Sequence, residues 1–597
     1  MMNHMLCYPF DAAVMGEPTV VRNAKASQAC LSCRKQKRKC DKALPSCALC
    51  TRMSRFCDYS DYPPNPTVED LEVLRSRLTE LEAKLKETDR QPSSESISPP
   101  SIDVYHARSS PSYSSEVGWQ FHAGAFDPAP ILDARFFRDA HLSIARSSVE
   151  IPQAVLNYVG DLDHLQHVMT TYFAEIHPWF PIIRKKRKSI TSLMWDFNSP
   201  ETSLLLLSMM LMADRPAEGM LPSARNYLYK TTKHFLSRLE DAGVTSLIYL
   251  QAIVLIALYE YSHGIYPAAW MTVGQCVRYA DFIGLPSYKE SNSMLGQCAT
   301  WLEAEERRRA WWAVYVLDKA VCTGSDKRCL CSEPSPTEIL PVPEEAWDSG
   351  DASLAVQHKI SSPSTNEPVS PFARICQSAL LISKGLRYCQ KAKMIKLQHE
   401  LPDRSEASCL IETAFSLSAC LANEVLSAPS NYPALVAARS LSYSAIYKII
   451  GAHQPDSSSA TSPTPSLQET QWANETLATQ AMTFETQRKA SADVSDMAAS
   501  VSTHVRTKEE VQKLSPFVLG ALYSAGVTFS WWREQGYDSV SITSLELVKK
   551  CLLRVSSRWS LATEYLTLLE QQEMNAMSRS FPGPLTSMPL LTSTMGI

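Results

Sequence analysis

Six cysteines near the N-terminus have the spacing of a metal site. They follow the pattern C-x2-C-x6-C-x6-C-x2-C-x6-C and are Cys30, Cys33, Cys40, Cys47, Cys50 and Cys57. Zinc takes four ligands in a tetrahedron, so two zinc ions need eight ligand positions, and six thiolates fill them only when two sulfurs are shared. Because the pattern repeats internally, the first cysteine of each half, Cys30 and Cys47, is the expected bridge. We therefore expect one ion on Cys30, Cys33, Cys40 and Cys47, and the other on Cys47, Cys50, Cys57 and Cys30.

The same segment is strongly basic within an acidic chain. The 597 residues carry a net charge of −4, yet eight basic residues and a single acid, Asp41, lie between Cys30 and Cys57. Six thiolates and two zinc ions would leave this module with a charge of about +5, which suits the phosphate backbone of DNA. So short a module has too little core to fold alone, so metal binding must supply most of its folding free energy.

The segments CLSCRKQKRKC and CALCTRMSRFC, with Pro45 two residues before Cys47, resemble the fungal binuclear zinc cluster transcription factors. The resemblance implies that each half is a short helix followed by an extended strand. It implies that the first helix enters the major groove at a CGG-like triplet of double-stranded DNA. One alternative is a RING-like zinc module that binds protein, although such modules use more ligands, often His, and different spacings. The other is a disulfide framework, which is expected in a secreted protein, whereas the sequence shows no signal peptide.

The resemblance also assigns roles to the residues that follow Cys33. Lys37, four residues after it, would read bases, since a basic group can bind guanine O6 and N7. Gln36 stands where many relatives have a basic residue, and we keep it among the DNA-binding candidates. The expected phosphate contacts, which set register without reading sequence, are Arg34, Lys35, Arg38 and Lys39.

A leucine repeat after the cysteine module predicts a dimerisation helix. The leucines are spaced alternately three and four residues apart, as at the a and d positions of a coiled coil; they are Leu71, Leu74, Leu78, Leu81 and Leu85. The residues at the g and e positions pair with opposite charge, which favours a parallel homodimer. The alternative is a single amphipathic helix that packs against another domain.

Most of the remaining chain has helical spacing of apolar residues and is predicted to be all-α. It resembles the fungus-specific transcription factor middle domain through YFAEIHPWFPII, YEYSHGIYPAAWMTVGQCVRYADFIGL and EERRRAWWAVYVLDKAV, over roughly residues 156–347. The WW segment should form a central buried helix, because Trp311, Trp312 and Tyr315 leave it apolar nearly all round. The preceding arginines, Arg307, Arg308 and Arg309, are expected at its solvent end.

Composition and periodicity together divide a mainly α chain into nine segments. These are a disordered N-terminal tail (1–26), the binuclear zinc cluster (27–60), a linker (61–69), the coiled-coil helix (70–89), a Ser/Pro-rich linker (90–150), an all-α regulatory domain (151–450, with a loop at 349–370), a disordered insertion (451–508), C-terminal helices (509–575) and a tail (576–597).

These features predict a nuclear, sequence-specific transcription factor of the RNA polymerase II type. We expect an activator of metabolic genes, with a secondary-metabolite cluster as one such set, and partners that include the transcription machinery. No Gly-rich phosphate loop, G-x-S-x-G or H-E-x-x-H motif indicates an enzyme. No membrane partner is expected, because the apolar runs are shorter than the about 20 residues of a membrane-spanning helix. The alternative function is a zinc-stabilised protein-interaction scaffold without DNA specificity of its own.

Overall fold

A computed structural model describes the chain as two separate units. The first comprises residues 28–43, 46–53, 55 and 57; the second comprises residues 149–185, 199–215, 226–285, 294–324, 327–361, 369–398, 402–453, 467–536 and 539–580. The predicted coiled-coil helix at 70–89 and its leucines, together with the tail at 1–26 and the linkers at 61–69 and 90–148, lie outside the described residues.

The first unit contains two helices of five residues each, α1 (Leu31–Lys35) and α2 (Ala48–Arg52). Each begins directly after the first cysteine of one half, Cys30 or Cys47. Isolated helices this short are unstable in water, because nucleation fixes several residues for very few hydrogen bonds. Their stability must therefore come from the cysteine cluster on which both helices pack.

The second unit is helical, as predicted, and no strand occurs within its described residues. Its N-terminal half consists of α3 (Gln153–Val159), α4 (Leu162–Glu175), α5 (Pro200–Ala213), α6 (Tyr227–Asp241), α7 (Leu247–Ser262), α8 (Ala268–Phe282), α9 (Trp301–Thr323) and α10 (Glu344–Ser349). Its C-terminal half consists of α11 (Pro371–Leu397), α12 (Arg404–Ser427), α13 (Tyr432–Gly451), α14 (Leu467–His504), α15 (Lys508–Gln512), α16 (Leu519–Glu534), α17 (Ser539–Ser556) and α18 (Ser560–Ser580).

One apolar core joins both halves of this unit and runs from Val155 to Leu569. Helix α7 is buried along nearly its whole length and packs on α5, α8 and α9. Helix α9 confirms the expectation of a central apolar helix, since Trp312 and Tyr315 are fully buried. In the C-terminal half, α13 packs extensively on α11 and α12.

The prediction of a disordered insertion at 451–508 is wrong for most of its length. Helix α14 spans 38 residues within it, and its second half packs on α13, α16 and α17. Low hydrophobicity suggested disorder, but small and medium apolar side chains recur at helical spacing and are completely buried. They are Ala490, Val494, Met497, Ala498 and Val501.

Two smaller boundaries also differ from the prediction. The loop predicted at 349–370 contains a 3-10 turn at Ala352–Leu354 and an antiparallel bridge between Ile339 and Lys359. Helix α18 continues to Ser580, past the predicted start of the tail at 576. The rest of that tail lies outside the described residues.

The expectation that the arginines before the WW segment lie at the solvent end of the helix is wrong. They lie inside the 23-residue helix α9, where Arg307 is 9% exposed and Arg309 is fully buried. The Arg309 guanidinium donates to Glu305 at 2.9 Å and to the carbonyl of Val342 at 2.5 Å. It also lies 4.3 Å from the centre of the Trp347 ring. This buried charge therefore joins α9 to the segment that contains α10.

Helix α12 is the one described helix that is long and apolar enough to cross a membrane by length and composition. Its most apolar window has a mean hydropathy of 1.4 and is 28% buried. The helix packs on α13, and its buried side chains are the small Ala407, Ala414 and Ser418 and the larger Ile411, Leu421 and Val425.

We expect Arg309→Met to destabilise the second unit by about 3–5 kcal/mol, because breaking a buried ion pair leaves the Glu305 carboxylate poorly compensated. Arg488→Met on α14 is the matched control, since the Arg488–Glu485 pair is largely exposed and its loss should cost about 0–1 kcal/mol. Urea unfolding of the full chain, followed by far-UV circular dichroism, measures both. Equal shifts of the midpoint would show that Arg309 is not a structural link.

Candidate metal centre and nucleic-acid interface

The structure brings the six cysteines of the first unit together as two halves related by an offset of 17 residues. In each half the carbonyl of the first cysteine accepts the amide four residues later, Arg34 or Thr51, at 3.0 Å. The carbonyl of the second cysteine, Cys33 or Cys50, accepts an amide five residues later, also at 3.0 Å. The internal repeat of the sequence is thus a repeat of backbone structure.

The cysteine sulfurs are spaced as ligands of shared metal ions would be. The Sγ of Cys30 lies 3.8 Å from that of Cys47, 3.6 Å from that of Cys50 and 4.0 Å from that of Cys40. The Sγ of Cys47 lies 3.7 Å from that of Cys33. Four sulfurs at about 2.3 Å from a zinc ion in a tetrahedron are about 3.8 Å apart. Cys30 and Cys47 each contact a sulfur of the opposite half.

Burial disfavours the thiolate form of these cysteines unless a cation lies among them. Cys30, Cys33, Cys47 and Cys50 are at most 2% exposed, and all described cysteines are free thiols. Burial and the neighbouring sulfurs raise the pKa of the Cys50 thiol to about 12, and the same causes raise the pKa of Cys33. A cation between the sulfurs would compensate the thiolate charges, so the chemistry and spacing of these donors fit zinc.

The basic residues lie on the exposed surface around the end of α1. The side chains of Arg34, Gln36, Lys37, Arg38 and Lys39 are all exposed, whereas the side chain of Lys35 lies outside the described atoms. The equivalent positions of the second half contain fewer basic residues, namely Thr51, Arg52, Met53, Ser54, Arg55 and Phe56. The two halves share a backbone but not a charge pattern.

Lys37 ends helix α1 in a left-handed conformation. Its φ is +49°, its amide donates to the carbonyl of Arg34, and the amide of Arg38 donates to that of Cys33. These two bonds form a Schellman motif, whose left-handed residue is usually glycine. A side chain at such a position costs about 1–2 kcal/mol. This lysine is therefore held where its backbone is strained and its side chain is exposed.

Two contacts between the halves were not anticipated from the sequence. The carboxylate of Asp41 accepts the amide of Ala48 at 3.1 and 3.2 Å and so caps the start of α2 from the other half. The side-chain carbonyl of Gln36 accepts a hydrogen bond from the Arg55 guanidinium. The sequence feature that could have indicated the Asp41 cap is its charge, since Asp41 is the single acid in a basic module.

Comparisons with known proteins agree with this geometry. Residues 28–66 match the fungal Zn(2)-Cys(6) binuclear cluster domain, and residues 169–427 match the fungal specific transcription factor domain. The second match extends beyond the resemblance seen at 156–347, past the start of α12.

Several curated relatives are similar to this chain. Transcription factor BOA15 of Botryotinia fuckeliana is 36% identical over 179 residues, 30% of this chain and 97% of the relative. The azaphilone cluster-specific transcription factor azaR of Aspergillus niger is 27% identical over 40% of this chain and 52% of the relative. The pigment biosynthesis transcriptional activator pigB of Monascus ruber is 30% identical over 30% of this chain and 34% of the relative. The chain thus spans about half of the second relative and a third of the third.

We expect Asp41→Ala to weaken zinc binding by about 2- to 30-fold, because loss of a helix cap costs about 0.5–2 kcal/mol and the folding of so small a module is coupled to metal binding. Asp41→Asn keeps an acceptor oxygen and should change the affinity by less than about threefold. Competition with a chromophoric chelator measures both in the full chain. Equal affinities of the two variants would exclude the capping role.

Proposed function

Because the chain belongs to the fungal transcription factors that carry a Zn(2)-Cys(6) binuclear cluster and a fungal specific transcription factor domain, we propose that this DNA-binding regulator controls one biosynthetic pathway. The names of its relatives, an azaphilone cluster-specific factor and a pigment biosynthesis activator among them, support activation of a secondary-metabolite gene set. The observation that carries the DNA-binding function is a zinc-type cysteine cluster beside an exposed basic helix end. Such a protein acts in the nucleus with the RNA polymerase II machinery and is not an enzyme.

The family binds two zinc ions, and we propose which sulfurs hold each. Cys30 and Cys47 would hold both ions, since their sulfurs lie 3.8 Å from each other and each also contacts a further sulfur of the other half, at 3.6 or 3.7 Å. Cys33 and Cys40 complete the first site, and the second site is completed by Cys50 and Cys57. The zinc ions supply cross-links between the halves, and the chain orients the basic end of α1.

Lys37 is the base-reading residue of this proposal. Its left-handed backbone turns the chain away after α1, and its side chain is exposed at the helix end. A lysine where glycine would be less strained indicates that the side chain, and not the backbone, is what this position requires. The ammonium group can donate to guanine O6 and N7 in the major groove, which supports a preference for CGG-like triplets.

The surrounding basic residues contact phosphates and set the register of α1 in the groove. Arg34, Lys35, Arg38 and Lys39 carry this role, as expected from the sequence. Gln36 has a different one, since its side chain accepts from Arg55 of the second half. This hydrogen bond holds an arginine beside α1, where it adds positive charge next to the reading helix.

Dimerisation rests on the leucine repeat alone. Leu71, Leu74, Leu78, Leu81 and Leu85 keep the a/d spacing of a coiled coil. Two zinc modules joined in this way would read two triplets, with the intervening linker at 61–69 setting their separation.

We expect Lys37→Gly to lower the affinity for CGG-containing DNA by about 1–3 kcal/mol while leaving zinc content unchanged and thermal stability equal or higher, because glycine relieves the left-handed strain. Lys39→Ala should weaken all DNA sequences similarly and reduce the salt dependence by about one charge. Protein-binding microarrays and salt titrations of the full chain distinguish these results. If both variants lose only nonspecific affinity, Lys37 does not read bases; if the wild type shows no sequence preference, the module is a protein-interaction scaffold.

Replacing Leu74 and Leu78 with Ala should abolish tight binding to paired triplets, because each removes a d or a position side chain of the coiled coil. Binding to a single triplet and zinc content should stay unchanged. Analytical ultracentrifugation and gel shifts on one- and two-triplet DNA provide the measurements, with Ser76→Ala, at an f position of the predicted heptad, as the control. A variant that remains dimeric and keeps its affinity for two triplets would exclude this interface.

A further inference from the structure

A cavity of about 570 Å³ lies inside the second unit, where its N-terminal and C-terminal halves meet. Its walls come from the ends of α7 and α9, the start of α8, and from α13, α16 and α18. Pockets of about 300–1,000 Å³ hold small organic ligands in proteins. A molecule bound here would contact both halves of the domain at once.

Aromatic side chains form much of the cavity wall. Tyr523 and Tyr565 are stacked with ring centres 4.4 Å apart and an interplanar angle of 16°. Tyr261 and Phe517 lie with centres 5.7 Å apart on a neighbouring wall. Flat aromatic walls favour a flat, conjugated ligand that can stack on them.

Small residues leave this space open between the aromatic walls. Gly520 on α16 comes so close to α13 that a Cβ atom would lie 3.2 Å from the Ser444 hydroxyl, whereas a Cβ atom at Gly324 would meet nothing within 4 Å. Ala269 and Ala320 also line the cavity. The cavity is therefore open because glycine and alanine occupy wall positions where larger side chains would fill it.

The charged groups of the wall favour an anion. Lys327 and Lys448 line the cavity, and the Lys327 ammonium lies 4.5 Å from the centre of the Tyr266 ring and 4.6 Å from that of Trp270. Its Nζ also donates to the Tyr266 hydroxyl at 2.7 Å. This lysine is therefore held against the aromatic side chains of the wall.

The acid of the wall, Glu260, is compensated from another side. Its side chain is fully buried and accepts from the Tyr229 hydroxyl at 2.7 Å, and it pairs with the Lys233 ammonium at 2.9 Å. No other carboxylate lines the cavity among the described residues. Two ammonium groups and one carboxylate give the wall a net positive charge, which suits a ligand with a negative charge.

We propose that this cavity is an effector site for a planar aromatic or conjugated small molecule that carries one acidic group, such as a carboxylate or an acidic phenol. The rings stack between the aromatic walls, and the acidic oxygens accept hydrogen bonds from Lys327 and Lys448. Because the site joins the two halves of the domain, binding stabilises their packed arrangement. This inference is independent of how the zinc module reads DNA.

Two fluorescent dyes test the site in the full chain. 1-Anilinonaphthalene-8-sulfonate combines the predicted rings with an anionic group, and N-phenyl-1-naphthylamine has the same rings without the charge. We expect one saturable site per chain for the anionic dye. Lys327→Met and Lys448→Met should each lower the affinity for the anionic dye about tenfold, as expected for loss of one charged hydrogen bond. Each should change the affinity for the neutral dye less than about threefold. Lys384→Met, on the exposed face of α11, is the matched control and should change neither.

Filling the cavity supplies the second arm of the test. Ala269→Trp should weaken both dyes at least about tenfold by occupying the stacking space, and Ser524→Trp does the same from the opposite wall if the first variant does not fold. Circular dichroism identifies folded variants. Unchanged dye affinity in a folded, filled variant overturns the site. Lysine variants that match Lys384→Met, or that weaken both dyes alike, overturn the assigned anion contacts.

Discussion

The DNA-binding unit depends on one constraint, the sharing of six thiolates between two zinc ions. Two tetrahedral ions need eight ligand positions, so two sulfurs must serve both ions, and the halves cannot fold independently. The contacts of Cys30 with Cys50 and of Cys47 with Cys33 are the structural expression of this constraint. Helices as short as α1 and α2 acquire a fixed orientation only through such cross-links.

In the proposed function, this rigidity fixes the left-handed end of α1, and with it Lys37, before DNA binds. A flexible lysine on an unstructured segment would lose conformational entropy on entering a groove, whereas Lys37 is already held by the Schellman bonds at the helix end. The second half repeats the backbone but lacks the basic cluster. Its Arg55 donates to Gln36 of the first half, and the start of its helix α2 is capped by Asp41 of the first half, which accepts the Ala48 amide. The first half thus carries the exposed basic residues, and the second half supplies the other cysteines and contacts the first through Arg55 and the Ala48 amide.

The metal site and the central helix could be predicted because the residues that determine them lie close together in the sequence. Cysteine spacing and local charge identified the metal site, and the apolar WW segment identified the central helix α9. Predictions failed where long-range packing decides the outcome. Helix α14 is built on Ala490, Ala498 and other small side chains, which resemble a disordered segment until partners cover them. The sequence likewise could not reveal that Arg309 is buried against Trp347 and the carbonyl of Val342, because these two partners lie far along the chain.

The count of metal ions tests the central claim most directly. Native mass spectrometry of the full chain, purified without chelators, should show two zinc ions per polypeptide, both lost together when a chelator unfolds the N-terminal unit. A single bound ion, or stepwise loss that leaves one stable zinc-bound form, would contradict a cluster in which the two ions share sulfurs.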